Sequence, residues 1–322
     1  MSGDRGPHER LQGALRALSA DEALQGLLVG RPEEIAPRLD ELPASVRQRA
    51  EILPASQVIA MDEPPRAAVR RGRDSSMRVA VNLVKEGRAA ACISAGNTGA
   101  LTAISHFVLK TVASVERAAI MSAIPSAKGH THMLDLGANT RATPLQLAQF
   151  AQMGSIVARD LHGIPAPRVG LLNVGEEDIK GHEVVQAAHA LIAQAAALNY
   201  VGFVEGDAIF SGEVDVVVTD GFTGNVALKT MEGLARLIAE RTRREFSASL
   251  GDRIAGFLAR PVLRRLAAGL DPRRYNGALM VGLRGIVVKS HGRADALAFA
   301  RAVELAALAA RGGLAAHIAR AF

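Results

Sequence analysis

Cysteine occurs once in 322 residues, tryptophan is missing, and tyrosine occurs twice. A lone Cys92 closes no internal disulfide, which excludes a stapled secreted framework and a multi-cysteine metal cluster and leaves a reducing, cytoplasmic setting as the expectation. Aromatic residues make up 3% of the chain, so platforms for stacking bases are few and no nucleic-acid partner is expected. The opening residues mix both charge signs around Pro7 and contain no charged leader followed by an apolar run. Several signatures are also missing. No G-x-G-x-x-G follows a strand-like run, and G-x-x-x-x-G-K-[ST], H-E-x-x-H and G-x-S-x-G do not occur. Neither a cofactor nor a metal is therefore expected.

Residues 89–109 and 184–204 carry no Asp, Glu, Lys or Arg. The first is broken by Gly96-Asn97-Thr98-Gly99 and the second is interrupted by Gln186, His189, Gln194 and Asn199, so each reads as helix and strand joined by a turn rather than a membrane span. Apolar residues reach 49%, enough for a large core. Short β-branched runs at 27–29, 90–94, 118–124, 133–136, 169–174, 200–204, 214–219 and 285–290 alternate with helical patterns at 143–160, 181–196, 225–246 and 294–310. That alternation predicts a three-layer α/β/α fold with a largely parallel sheet. With no Gly/Ser-rich linker, residues 1–322 read as one domain.

The formal net charge is +6, and it sits in one place. Residues 241–274 hold nine arginines against Glu245, Asp252 and Asp271, an excess equal to that of the whole chain. Over 246–270, Phe246, Leu250, Ile254, Phe257, Leu258, Val262, Leu266 and Leu270 recur at spacings of mostly three and four, which predicts a basic amphipathic helix pair broken at Pro261. Such an excursion, over about 240–275, suits an anionic lipid surface or an acidic protein.

Two glycine turns, Ser94-Ala95-Gly96-Asn97-Thr98-Gly99 and Thr219-Asp220-Gly221-Phe222-Thr223-Gly224-Asn225, each follow an apolar strand and open an apolar helix. Backbone amides at such a turn, helped by the positive end of the helix, suit an anion. Strand ends also offer Asp135, Asn139, Asn173, Glu176 and Lys180. Of only six lysines, Lys180, Lys229 and Lys289 fall at strand ends or beside the second turn, and a lysine is a compact charge suited to a small phosphate. His291, after the run 285–288, stands out among the histidines, whereas His106 reads as structural and Cys92 as core packing.

In order along almost the whole chain, Ser75-Ser76, Ser94-Ala95-Gly96-Asn97-Thr98-Gly99-Ala100, Leu134-Asp135-Leu136-Gly137-Ala138-Asn139, Leu171-Leu172-Asn173-Val174-Gly175-Glu176-Glu177, Lys180-Gly181, Gly202-Phe203-Val204-Glu205-Gly206, Asp220-Gly221-Phe222-Thr223-Gly224-Asn225-Val226-Ala227-Leu228-Lys229 and Tyr275-Asn276-Gly277-Ala278 resemble the bacterial phosphate acyltransferase family. The resemblance implies a fold akin to the isocitrate and isopropylmalate dehydrogenases and the phosphotransacetylases, a homodimer, and peripheral contact with the inner face of an anionic membrane. It further implies transfer of a long-chain acyl group from acyl carrier protein to inorganic phosphate in phospholipid biosynthesis, upstream of a glycerol-phosphate acyltransferase. On that footing Lys180, Lys229 and His291 hold phosphate together with the turn amides at Gly96, Thr98, Gly99, Gly221 and Gly224. Asn97, Asn139, Asn173 and Asn225 donate to the oxyanion, and Asp135, Glu176 and Asp220 orient the donors. Asp4 joins the substrate-binding set. Family members usually open with a strand running into Asp-Ala-Met-Gly-Gly-Asp, whereas this chain begins Met1-Ser2-Gly3-Asp4; a start upstream of Met1, or a missing first strand with a vacant sheet edge, is the corresponding expectation.

Overall fold

The computed structural model describes residues 6–269 and 271–322, the side chains of Ala268 and Pro272 excepted. Asp4 and Leu270 lie outside the described residues. In chain order the elements are α1 (Gly6–Ala20), β1 (Gly26–Gly30), α2 (Pro32–Asp40), α3 (Ala44–Arg47), β2 (Ala50–Pro54), α4 (Pro65–Arg71), α5 (Ser76–Lys85), β3 (Ala91–Ser94) and α6 (Thr98–Leu109). There follow β4 (Ala119–Ser126), β5 (Gly129–Leu134), α7 (Pro144–His162), β6 (Arg168–Leu172), α8 (Glu183–Ala193), β7 (Asn199–Val204), α9 (Ala208–Ser211) and β8 (Val216–Val218). The last elements are α10 (Gly221–Glu245), α11 (Leu250–Gly269), a 3-10 turn (Pro272–Tyr275), β9 (Ala278–Val281), β10 (Ile286–Lys289), α12 (Ala296–Arg311) and α13 (Leu314–Ala321).

The main sheet has eight strands in the order β3-β10-β9-β4-β5-β8-β6-β7. It is mostly parallel: β3/β10, β5/β8, β8/β6 and β6/β7 run together, while β9 is antiparallel to β10 and β4, and β4 to β5. By these pairings β3 and β10 point one way and β5, β8, β6 and β7 the other. Their carboxyl ends therefore emerge on opposite edges of the sheet. β3 is one edge strand, and β1 pairs with β2 in a separate parallel ribbon.

Period-two alternation builds the layers. Leu134 and Val216 and Val218 face one core with Phe150, Met153 and Val157 of α7 and Ala302, Ala306 and Ala309 of α12. Their neighbours Met133 and Val217 face the other, with Met77 and Val81 of α5 and Leu101, Ile104 and Val108 of α6. Cys92 is buried there, its thiol pushed up to about 12 by burial, and serves packing as its sequence context implied. A smaller cluster of Leu15, Leu18, Ile35, Leu39 and Val46 closes the β1–β2 ribbon under α1, α2 and α3.

The amphipathic segment differs from expectation at its break. α11 is one helix through Pro261, and the preceding helix α10 runs on to Glu245. A proline in a helix interior costs about 3 kcal/mol, and the surrounding Ala, Leu and Arg are strong helix formers that carry the helix past it. Along both helices the apolar side chains face outward: Leu250 is 78% exposed and Phe257 and Leu258 are each 71% exposed. No single helix among the described residues is long and apolar enough to cross a membrane.

Candidate active site

The loop after β5 is organised by one buried carboxylate. Asp135 Oδ1 accepts from the backbone N–H of Ile120 (3.0 Å), Gly137 (3.1 Å) and Ala138 (2.9 Å), and Oδ2 accepts from Asn139 N (2.7 Å) and Asn139 Nδ2 (2.9 Å). Burial pushes its pKa up and these donors oppose the shift. The second N–H of the Asn139 amide goes to Ala118 O (2.8 Å), so both of its donors are spent on holding the loop.

The second glycine turn docks onto that loop. A Cβ at Gly221 would lie 2.6 Å from Asn139 O, and one at Gly224 would strike Asp135 O, so both glycines are required by close packing. Their amides are already used: Gly221 N donates to Asn139 O and Gly224 N to Asp220 O. Asp220 caps α10 through Oδ1, which accepts from Phe222 N (2.9 Å) and Thr223 N (3.0 Å). Asn225 lies beside Gly137, 3.6 Å from the position a Cβ would take there, and shows no side-chain hydrogen bond among the described residues. Lys229, four residues on, shares the Asn225 face of α10 and pairs with Glu232 at 2.9 Å.

The first turn is arranged differently. Asn97 caps α6, its Oδ1 accepting from Ala100 N (3.0 Å), while Nδ2 donates to Ala60 O and Glu63 O. Gly96 N donates to Ser94 Oγ (3.2 Å). That leaves the first two helical amides, of Thr98 and Gly99, with no acceptor inside the helix. Gly99 is glycine because Pro65 crosses it, 3.0 Å from where a Cβ would sit.

A groove of about 640 Å³ joins these pieces, running along α6 from Gly99 to Lys110, roughly 17 Å at helical rise. Its floor is Val69, Ala103, Phe107, Ala118 and Ala138; its rim carries Arg66, Arg70, Lys110 and Arg117, and Gly137 and Asn139 close one side. A second hollow of about 530 Å³ continues past Phe107 to Arg73 and Arg78. Arg78 has its pKa lowered, first by burial and then by Arg73, and His106 has its pKa lowered by burial and by Arg117 and Lys110. The groove is thus strongly electropositive.

Of the residues singled out in the sequence, Gly99 and Asn139 line the groove, and Asp135, Gly221, Gly224 and Asn225 form the wall behind it. Asn173, Glu176 and Lys180 lie in the loop after β6. There Asn173 Nδ2 donates to Lys180 O (3.1 Å) and Lys180 Nζ is 4.0 Å from Glu177. His291 follows β10 at the other edge of the sheet, its N–H donating to Asn276 Oδ1 (3.0 Å), and neither it nor Lys180 lines the groove. Arg66, Arg70 and Arg117 were not among the residues singled out in the sequence: Arg66 and Arg70 belong to an arginine-rich stretch, residues 66–73, that contains none of the glycine turns, and Arg117 joins them only through folding.

The three-layer architecture is shared with solved phosphotransacetylases. The Streptococcus pyogenes phosphotransacetylase matches with a TM-score of 0.61 at 17% identity, over 93% of this chain and 91% of that one. In sequence, the chain is 54% identical over 314 residues to a phosphate acyltransferase from Alkalilimnicola ehrlichii, covering 98% of this chain and 92% of the relative. It is 52% identical over 311 residues to one from Alcanivorax borkumensis, covering 97% and 92%. The family model described as fatty acid synthesis protein matches residues 1–317, and the chain belongs to this family of acyltransferases.

Proposed function

We propose that the chain transfers a long-chain acyl group from the thioester of acyl carrier protein to inorganic phosphate, giving acyl phosphate. The observation that carries this reading, beside family membership, is an apolar groove with a cationic rim, since the reaction brings together one greasy chain and two anions. Phosphate is ionised at neutral pH and a thiolate leaves readily, so no strong base is needed. A phosphate oxygen bonds to the thioester carbon, the C–S bond breaks, and the carrier thiolate leaves and takes a proton from solvent. The protein supplies proximity and stabilises the charge that develops on the carbonyl oxygen.

In this reading the rim cations Lys110 and Arg117 hold phosphate at the Gly137 end of the groove, beside Asn225, and the acyl chain lies along Phe107, Ala103 and Val69 towards Gly99. Asn225 is the oxyanion donor with an amide to spare. Lys229, on the same helix face, swings from Glu232 to the anion, and Asp135 positions rather than reacts. Lys180 acts from outside the groove, adding positive charge to the field that guides anions towards it, while Glu176 and His291, also outside the groove, take no part in the transfer. The acidic carrier docks on the arginines at 66, 70, 73 and 78. The fold's kinship with the isocitrate and isopropylmalate dehydrogenases, a homodimer, and peripheral contact of α10 and α11 with the inner face of an anionic membrane, where a glycerol-phosphate acyltransferase consumes the product, complete the proposal.

The test is direct. Purified protein, acyl carrier protein loaded with a long acyl chain, and inorganic phosphate yield acyl phosphate, trapped as a hydroxamate; no product at saturating phosphate defeats the reading.

A further inference from the structure

His130 and His132 are two apart on β5, so both side chains leave the same face of the strand, the face that Leu134 continues into the core beneath α7. His162 is the last residue of α7, which ends at Gly163 in the left-handed conformation (φ 65°). The three rings converge. Centroids are 4.9 Å apart for His130 and His132, 4.5 Å for His130 and His162, and 4.6 Å for His132 and His162. One ring nitrogen from each lies within 4.8 Å of the others.

Hydrogen bonding does not account for this arrangement. His132 is only 4% exposed, and its Nε2 has no hydrogen-bond partner among the described residues. Nε2 of His130 is buried and unpartnered too. A buried polar atom left alone costs about 1–3 kcal/mol, and two side by side call for a shared guest. Burial and the neighbouring imidazoles hold His132 well below its ordinary pKa, burial and His130 bring His162 to about 4, and burial lowers His130 against the pull of Asp215. The neutral imidazole is the form that ligates metals, and burial favours it here.

We propose that His130, His132 and His162 form a binding site for one divalent transition-metal ion of the zinc class, with three imidazole ligands and a fourth position open to solvent beside the exposed His162. An all-nitrogen donor set suits zinc, cobalt, nickel or copper rather than calcium or magnesium, which take oxygen ligands. Around a tetrahedral zinc, with bonds of about 2.0–2.1 Å, nitrogens stand about 3.3 Å apart. Small rotations of the three side chains close the remaining distance. The site stands apart from the groove: His130 is the second residue of β5 and Asp135 follows its end, roughly 16 Å further along the strand. The ion would clamp the end of α7 to β5, strengthening the fold without entering the acyl-transfer step.

The expectation of no metal rested on the lone cysteine and on the missing H-E-x-x-H signature; these histidines escape both because two are on a strand and the third closes the following helix. The untagged full-length protein, stripped with a chelator, is titrated with Zn²⁺ against a chromophoric competitor and with Co²⁺ for its visible absorption. One equivalent binds with micromolar or tighter affinity, Co²⁺ gives the intense bands of a low-symmetry site, and Zn²⁺ raises the melting temperature. His162→Gln, at an exposed helix end, and His130→Gln each weaken binding at least tenfold and abolish the metal-dependent rise, while melting without metal shows that each variant is folded. Acyl phosphate formation by the stripped protein is unchanged. Absence of stoichiometric binding, or binding equally strong in both folded variants, overturns the proposal.

Discussion

Asp135 holds a loop together by accepting five hydrogen bonds with two oxygen atoms. Asp135→Asn turns one of those acceptors into a donor facing other donors, and the substitution lowers unfolding free energy by about 2 kcal/mol or more, measured from urea midpoints. A midpoint matching the parent would show that the loop stands without it. The rim is tested by kinetics. Arg70→Ala lowers kcat/KM at least tenfold, about 1.4 kcal/mol, and Lys229→Ala by about 2 kcal/mol if its ammonium leaves Glu232 for the anion; rates equal to the parent's remove either residue from the site. The sequence announced the glycines and asparagines of both turns, and the structure shows why that signal is ambiguous. Gly221 and Gly224 are small to let Asp135 and Asn139 approach, while Asn97 spends its amide N–H groups on two backbone carbonyls and Asn139 on one carbonyl and the Asp135 carboxylate. A motif records that a residue cannot change without saying whether a ligand or a neighbouring loop forbids it.

Among the elements, β6 and β8 are tied by Arg168, whose guanidinium and backbone N–H both bond Asp215 (Nη2 to Oδ1, 2.9 Å; N to Oδ2, 2.7 Å). Burial works to raise the Asp215 pKa, and the Arg168 hydrogen bonds outweigh it, holding the carboxyl below its ordinary value. A folded-state pKa below the unfolded one gives stability that is present above the unfolded value, near 4, and is lost as pH falls through the folded one. Arg168→Ala thus lowers stability by about 1–3 kcal/mol at pH 7 and pH 5, and the gap to the parent narrows below pH 4. Urea midpoints at the three pH values decide it; a gap that persists undiminished in acid contradicts the assignment. Most strands were legible because runs such as Val216-Val217-Val218 are β-branched and wholly buried. β2 and β9 were not. Ala50-Glu51-Ile52-Leu53-Pro54 carries a charge at its second position and ends in proline, and Ala278-Leu279-Met280-Val281 has one β-branched residue. Both are strands by tertiary pairing rather than by propensity.

For the molecule as a whole, α10 and α11 present an apolar stripe flanked by arginines to the outside, too large to be incidental on a surface. Vesicles containing anionic lipid bind the protein at low salt and release it as ionic strength rises, because exposed charges are screened over about 10 Å at 0.1 M. Leu258→Glu abolishes vesicle binding and leaves acyl phosphate formation from soluble carrier intact; binding unaffected by both salt and substitution would assign this face to another role, such as contact between two copies of the chain. The charge excess that marks this segment was visible at once in the sequence, since it is local in the chain. The groove was not, since its cations come from α4, α6 and the approach to β4, brought together only by folding.

Strands whose carboxyl ends leave by opposite edges leave α6 as the bridge between the two ends of the groove. A helix has a fixed pitch, so this one is a ruler. Whatever is gripped at Gly99 is measured against Lys110, and a turn added or removed between them would regrade the scale in steps of about 5.4 Å.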